Sequence, residues 1–391
     1  TPLSLRDNYT SWLEAGPDVS FVNNKPGKVP DISKPEKYKF IKHMRPFSTV
    51  FLPLPGSPFF ATTITDALGK NMFGIGGYLI PSDLDKSGFQ LAYINPMWGL
   101  SISRNFDFAF RPYQSAWLID SRNSASFTIN NPINFGEYPS SNHLFYAGAT
   151  IVNHNVTVGK ETDKETGELI PLDKSSFVDL PIPESGNDGF LTIGYQWLNR
   201  RPHKINTIAP KDGFGISGLV DYANKDLFGD FSFTRLEGDF FANIPVNKSG
   251  SLVSYFRLKT MAVSGKPPAQ EYVGLTDDIP IYLQGIAPSR FVPENHNPRG
   301  WSGYRLGDKL LFGSAELRQA AGPISLNLVS DFGNAWFSNA EKKKMVVTAG
   351  YEIRIAIGPL ILAGGEAQEI EGWKNKQNPE RYYRLVLTNP F

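Results

Sequence analysis

The residue types that carry most enzyme chemistry are present in this sequence but dispersed. Five histidines, His43, His143, His154, His203 and His296, are spread over 391 residues. None stands in the H-E-x-x-H spacing that sets two zinc ligands on one helix face, so structural or surface roles are expected for them. There is no cysteine, which excludes a thiolate nucleophile, a thiolate metal site and a disulfide framework. No G-x-S-x-G segment supplies a nucleophile elbow. Gly213-Phe214-Gly215-Ile216-Ser217-Gly218 fits the dinucleotide pattern G-x-G-x-x-G, but no helix follows it and no βαβ unit encloses it. Glycines there relieve crowding in a strand. The charged stretch from Glu161 to Asp173 reads as a solvated loop rather than a calcium site. What remains is a set of charges at alternate positions: Arg235, Glu237 and Asp239, then Glu316 and Arg318, then Glu352 and Arg354. They share no spacing that would pair a general acid with a general base. They read as a mutually neutralising network, and no enzyme, cofactor or metal site is expected.

Those charges sit on strands. In 343–356, Val347, Ala349, Tyr351, Ile353 and Ile355 alternate with Thr348, Gly350, Glu352 and Arg354. In 322–336, Ile324, Leu326 and Leu328 oppose Ser325, Asn327 and Asp331, and in 230–244 Leu236, Phe240, Ala242 and Ile244 oppose Arg235, Glu237 and Asp239. Period two gives each strand one apolar and one charged face. Strands are expected near 57–66, 70–80, 88–96, 100–110, 113–119, 124–130, 142–158, 189–200, 213–223, 230–244, 250–264, 308–320, 322–336, 343–356, 358–369 and 381–391. Residues 1–56 are rich in proline and polar residues and read as an extended lead-in, with the β domain over 57–391. Thr1 opens no signal-peptide pattern, so the chain is expected to be a mature form or a fragment.

The alternation fits a soluble sandwich, with the apolar face as core, or a membrane barrel, with the apolar face on lipid. Composition, with 28 Phe, 16 Tyr and 36 Gly, suits both. Charge does not decide either: 39 basic against 38 acidic residues leave +1, with no basic cluster for nucleic acid. No apolar run is long enough for a transmembrane helix, which says nothing about spanning strands. Loop lengths break the tie. Short connections (Pro245 to Gly250, Ala321-Gly322, Ile357-Gly358-Pro359) alternate with long ones at 159–188 and 265–307. That asymmetry is the one between short periplasmic turns and long outer loops. An all-β, transmembrane antiparallel β-barrel of about sixteen strands is therefore expected, with Phe391 at the periplasmic end.

Three segments resemble a known family. Tyr383, Leu385 and Leu387 alternate towards a terminal Phe391, similar to the C-terminal signal of bacterial outer-membrane barrels. Pro298-Arg299-Gly300-Trp301 resembles the arginine-glycine-aromatic tip of the lid loop in the bacterial surface antigen barrel superfamily, whose members assemble or translocate outer-membrane proteins. Gly307-Asp308, the strand ending Glu316-Leu317-Arg318, and Val329-Ser330-Asp331-Phe332-Gly333 continue in the style of that family. Tyr38, Arg45-Pro46-Phe47 and Asp66 to Asn71 are similar to the start of members whose barrel follows a periplasmic β-propeller. The resemblance implies an inward-folded lid over about 265–307 and a pair between Arg299 and Asp331, with Gly300 and Gly333 easing close approach and Trp301 as the aromatic wedge. It also implies a place in the bacterial outer membrane, lipid around the wall, and client polypeptides or accessory envelope proteins as partners. Insertion or export through a lateral seam is the expected function. The alternative is a plugged, non-enzymatic barrel that anchors partner proteins, and a membrane hydrolase finds no catalytic residues to support it.

Overall fold

The computed structural model describes residues 39–387 apart from 54–57, 69, 83, 85–86, 111–116, 134–141, 163–168, 172–183, 200–210, 228, 276–297, 302, 304, 342–343, 358–359 and 372–379. Residues 1–44 form a separate unit, of which a 3-10 turn at Phe40–His43 is described. The second unit starts at Arg45 and is all β.

Sixteen strands follow one another in a meander, each antiparallel to the next. They are β1 (Arg45–Leu52), β2 (Phe59–Thr65), β3 (Met72–Tyr78), β4 (Gly88–Ile94), β5 (Trp98–Phe110), β6 (Trp117–Ile133), β7 (Asn142–Thr162), β8 (Gly186–Asn199), β9 (Gly213–Ala223), β10 (Ser232–Pro245), β11 (Leu252–Lys266), β12 (Lys309–Ala321), β13 (Ile324–Trp336), β14 (Val346–Ile357), β15 (Leu360–Glu369) and β16 (Glu380–Leu387). Every neighbouring pair in this series is hydrogen-bonded. A three-residue strand, Leu169–Pro171, adds to β7. Among the described residues, no pairing joins β16 back to β1.

The strand positions match the alternation pattern closely, with two exceptions that offset each other. The expected strands at 113–119 and 124–130 are one continuous strand, β6, because Asp120 to Asn123 keep pairing with Asp107 to Arg104 of β5. The sixteenth strand is β1, which lies inside the stretch read as a lead-in. Its Pro46 cannot donate a backbone bond, and the register shifts beside it, between Pro46 and Ser48. At the β2–β3 turn, Asp66 accepts the backbone N–H of Lys70 (2.8 Å) and Asn71 (3.2 Å) and the Asn71 side-chain amide (2.9 Å).

The wall is inside out relative to a soluble protein. On β13, Leu326 and Leu328 are 53% and 59% exposed while Asn327 between them is fully buried. On β14, Tyr351, Ile353 and Ile355 are exposed while Glu352 is fully buried and Arg354 nearly so. The same holds for Leu236 and Phe240 against Arg235 and Asp239 on β10. A contiguous exposed apolar surface of this extent marks contact with another apolar phase. Buried charges facing the other way fill a lumen.

Candidate functional site

The register of β12 to β15 lays the inward side chains in rows. Ser314 stands across from Asp331, and Asp331 across from Thr348. Glu316 stands across from Val329, then Gly350, then Ala367. Arg318 stands across from Asn327, then Glu352, then Gly365. The first row runs on from Thr348 to Glu369, whereas the second and third rows end on β15 in the small residues Ala367 and Gly365, which with Gly350 leaves room above Gly350 and Ala367.

The connection between β11 and β12 places residues 298–301 in that room. Arg299 is 7% exposed. Its Nε and Nη2 donate to the two carboxylate oxygens of Asp331 at 2.7 and 2.6 Å, the bidentate geometry that suits a guanidinium. Its backbone N–H donates to Asp331 Oδ2 at 2.9 Å. Nη1 donates to Glu316 Oε1 at 2.7 Å and lies 3.7 Å from Glu352 Oε1. Nη2 also donates to the Ser314 hydroxyl at 2.8 Å, and that hydroxyl donates on to Asp331 at 2.7 Å. Arg354 bonds Glu352 and Glu316, at 2.5 Å and 2.8 Å, and Arg318 bonds Glu316 at 2.6 Å while stacking 3.8 Å above the Tyr255 ring. Three guanidiniums (Arg299, Arg318, Arg354) thus meet three carboxylates (Glu316, Asp331, Glu352), and the buried cluster is electrically neutral. That balance is what makes its burial tolerable. Burial by itself would lower the Arg299 pKa; Asp331 and Glu316 outweigh it and hold the group well above the ordinary arginine value.

The residues beside Arg299 fit the wall closely. Gly300 has φ +73°, and a Cβ there would lie 2.1 Å from the Ala367 carbonyl oxygen on β15. Only glycine meets both conditions. Trp301 packs against a lumenal apolar cluster that includes Leu275, Leu310, Phe312 and Ala335. Leu275 belongs to a short strand, Val273–Leu275, that pairs with Arg305–Gly307 and closes the base of the connection. Gly333 lies under Leu275; a Cβ there would come within 2.9 Å of its Cδ2. Fully burying that leucine contributes about 1.5–3 kcal/mol, so the connection is held by an apolar contact as well as by charge.

The structure therefore brings Arg299, Gly300, Trp301, Asp331 and Gly333 together. The terminal residues are elsewhere: Tyr383, Leu385 and Leu387 stand across from Gly364, Leu362 and Leu360 on β15. Phe391, Tyr38 and most of the long connection (276–297) lie outside the described residues. Sequence reasoning did not single out Ser314, Gly350 or Ala367. Ser314 was within reach, since it lies two residues before Glu316 on the same face. Gly350 and Ala367 were not, because their importance depends on cross-strand register. A second set of pairs lines β10 and β11: Arg257 with Asp239 (2.6 Å) and Lys259 with Glu237 (2.7 Å).

No protein-family model matches the chain, and no curated protein sequence does. Solved structures do. The fold is similar to that of BamA from Haemophilus ducreyi lacking POTRA domains 1–3, with a TM-score of 0.57, 13% identity, and 86% of this chain covering 68% of that one. It is similar to CdiB from Escherichia coli, with a TM-score of 0.53, 8% identity, and 85% of this chain covering 59% of that one. At such identities the likeness is one of fold: this chain has the antiparallel outer-membrane-type β-barrel fold of those proteins. It spans about three fifths to two thirds of their lengths.

Proposed function

We propose that this chain is the membrane-embedded barrel of a bacterial outer-membrane protein that inserts or exports polypeptides, with no catalytic chemistry of its own. The observation that carries the reading is the buried seat of Arg299. A loop tip pinned by a neutral charge cluster against the inner wall is the arrangement implied for the lid of the surface antigen superfamily. The exposed apolar bands of β10 to β15 support placement in the outer membrane, with lipid around them. In this reading the connection between β11 and β12 gates the lumen. The seam lies between β1 and β16, whose spans are eight residues each. Strand edges that short, one of them weakened by Pro46, part at little cost, and a client strand adds to the exposed edge by backbone pairing.

The test is site-specific cross-linking in membranes that are assembling outer-membrane proteins. A photoreactive residue at Phe51 on β1 is expected to capture client polypeptides, and one at Leu326 in the middle of the wall to capture none. Equal capture at both positions overturns the seam. A second reading has one observation in its favour: the charged cluster is fully paired, as a permanent plug would be. In that case a stoichiometric partner co-purifies from membranes and Phe51 captures no client.

A further inference from the structure

The inner wall holds a second polar cluster that neither the Arg299 seat nor the seam uses. His154 on β7, Asp188 on β8 and Glu271 in the 3-10 turn Ala269–Glu271 meet near the end of the wall that bears the long connections. One potential ligand atom from each lies within 4.8 Å of the others. His154 is 2% exposed and Asp188 fully buried. Neither carboxylate oxygen of Asp188 has a hydrogen-bond partner. A fully buried carboxylate left without donors is costly, so this one is aimed at something that supplies positive charge.

The surrounding charges say how much. The groups acting on Asp188 are Glu271, His154, Arg235 and Asp221. Arg235 is committed to Asp221, at 2.5 Å, and also contacts Glu271. Three carboxylates against one guanidinium leave two negative charges when His154 is neutral. Phe190, Val152 and Val273, each two residues from Asp188, His154 and Glu271 respectively, belong to or pack on one apolar cluster with Phe233 and Val263, and with His154 and Asp188 themselves buried the electrostatic attraction is strong. An imidazole nitrogen with two carboxylates and no thiolate is a donor set for zinc and similar divalent transition ions.

We propose that His154, Asp188 and Glu271 bind one divalent transition-metal ion, which staples the start of the β11–β12 connection to β7 and β8. In a tetrahedral zinc site, ligand atoms about 2.1 Å from the metal stand about 3.4 Å apart, a spacing that three groups already this near reach by small side-chain adjustments. Glu271 is positioned for this by its neighbour: the Gln270 side chain bonds the backbone of Glu184 twice, through Nε2 at 2.7 Å and Oε1 at 3.3 Å. The ion neutralises the two excess charges. The histidines were set aside on sequence grounds because none has a local partner; the fold supplies partners for His154 from 34 and 117 residues away. The site stands whether or not the transport reading does.

The test is zinc retention by the whole purified chain in detergent, after stripping with chelator, reloading with Zn2+ and desalting. Wild type is expected to keep one equivalent. Asp188→Asn and His154→Gln are expected to lose it, and His143→Gln to keep it. Hydrogen exchange gives a second measurement on the same samples. Free Zn2+ at about ten times its Kd slows exchange at the 269–275 amides about tenfold in wild type, and leaves His154→Gln unchanged. If Asp188→Asn does not fold, Glu271→Gln replaces it with the same expectation. No stoichiometric zinc in wild type, or zinc retained by both Asp188→Asn and His154→Gln, overturns the proposal.

Discussion

Replacing Arg299 by alanine removes the only cation that Asp331 contacts among the described hydrogen bonds and ion pairs. Asp331 is 1% exposed and keeps one donor, the Ser314 hydroxyl, together with the backbone N–H of residue 299. Glu316 loses one partner but retains Arg318 and Arg354. The cluster passes from neutral to a net charge of −1 in a dry setting. Breaking a buried pair by truncating one partner costs about 3–5 kcal/mol. Since about 1.4 kcal/mol is tenfold in an equilibrium constant, undocking of residues 298–301 becomes roughly two to three and a half powers of ten more frequent. The apolar contacts of Trp301 and Leu275 remain, so the wall itself stays folded. Hydrogen exchange read at the Gly300 to Gly307 amides, beside single-channel conductance in planar bilayers, measures this directly. Exchange is expected to accelerate by that factor and conductance to become larger and noisier. Removing the stranded charge as well, in Arg299→Ala with Asp331→Asn, is expected to recover part of the loss, because the two sites share one interaction. Unchanged exchange and unchanged conductance in Arg299→Ala would refute the view that this pair anchors the loop.

Gly300→Ala is expected to give the same open phenotype with every charge intact: positive φ costs about 1–2 kcal/mol for a residue with a Cβ, and the Ala367 carbonyl oxygen 2.1 Å away adds a clash with backbone. Leu328→Arg separates a membrane wall from a soluble one, since this exposed position is neutral in water but costs about 2–4 kcal/mol at bilayer-midplane depth, read as folding yield into vesicles. Acidity is expected to leave Arg299 alone. A cation whose folded pKa is raised contributes fully below its unfolded value and loses that contribution only as pH climbs through the folded one, so the protection factor of the loop amides, that is exchange corrected for its intrinsic rise with pH, should be flat from about pH 6 to about pH 10. Arg299→Lys is expected to rescue the alanine variant only in part, because an ammonium cannot bond Asp331 at two oxygens and also reach Ser314 and Glu316.

Alternation of one residue type with another was enough to place most of the wall, because a strand shows its two faces in its own sequence and lipid contact demands an unbroken apolar one. Hence Leu326 and Leu328 on one side and Asn327 and Asp331 on the other were readable before any coordinates. The lead-in at 45–52 was not, since Pro46 disguises a strand that stays paired by shifting its register. The pair of Arg299 with Asp331 came from family resemblance together with the face assignment of Asp331. What tertiary structure alone decided is everything set by register and loop return. It chose which row holds Ser314 with Asp331, made Gly350 and Ala367 the floor beneath Gly300, and brought His154, Asp188 and Glu271 to one point. Cross-strand register and the path of a long connection are fixed by contacts between residues distant in the chain, and period-two alternation carries no information about either.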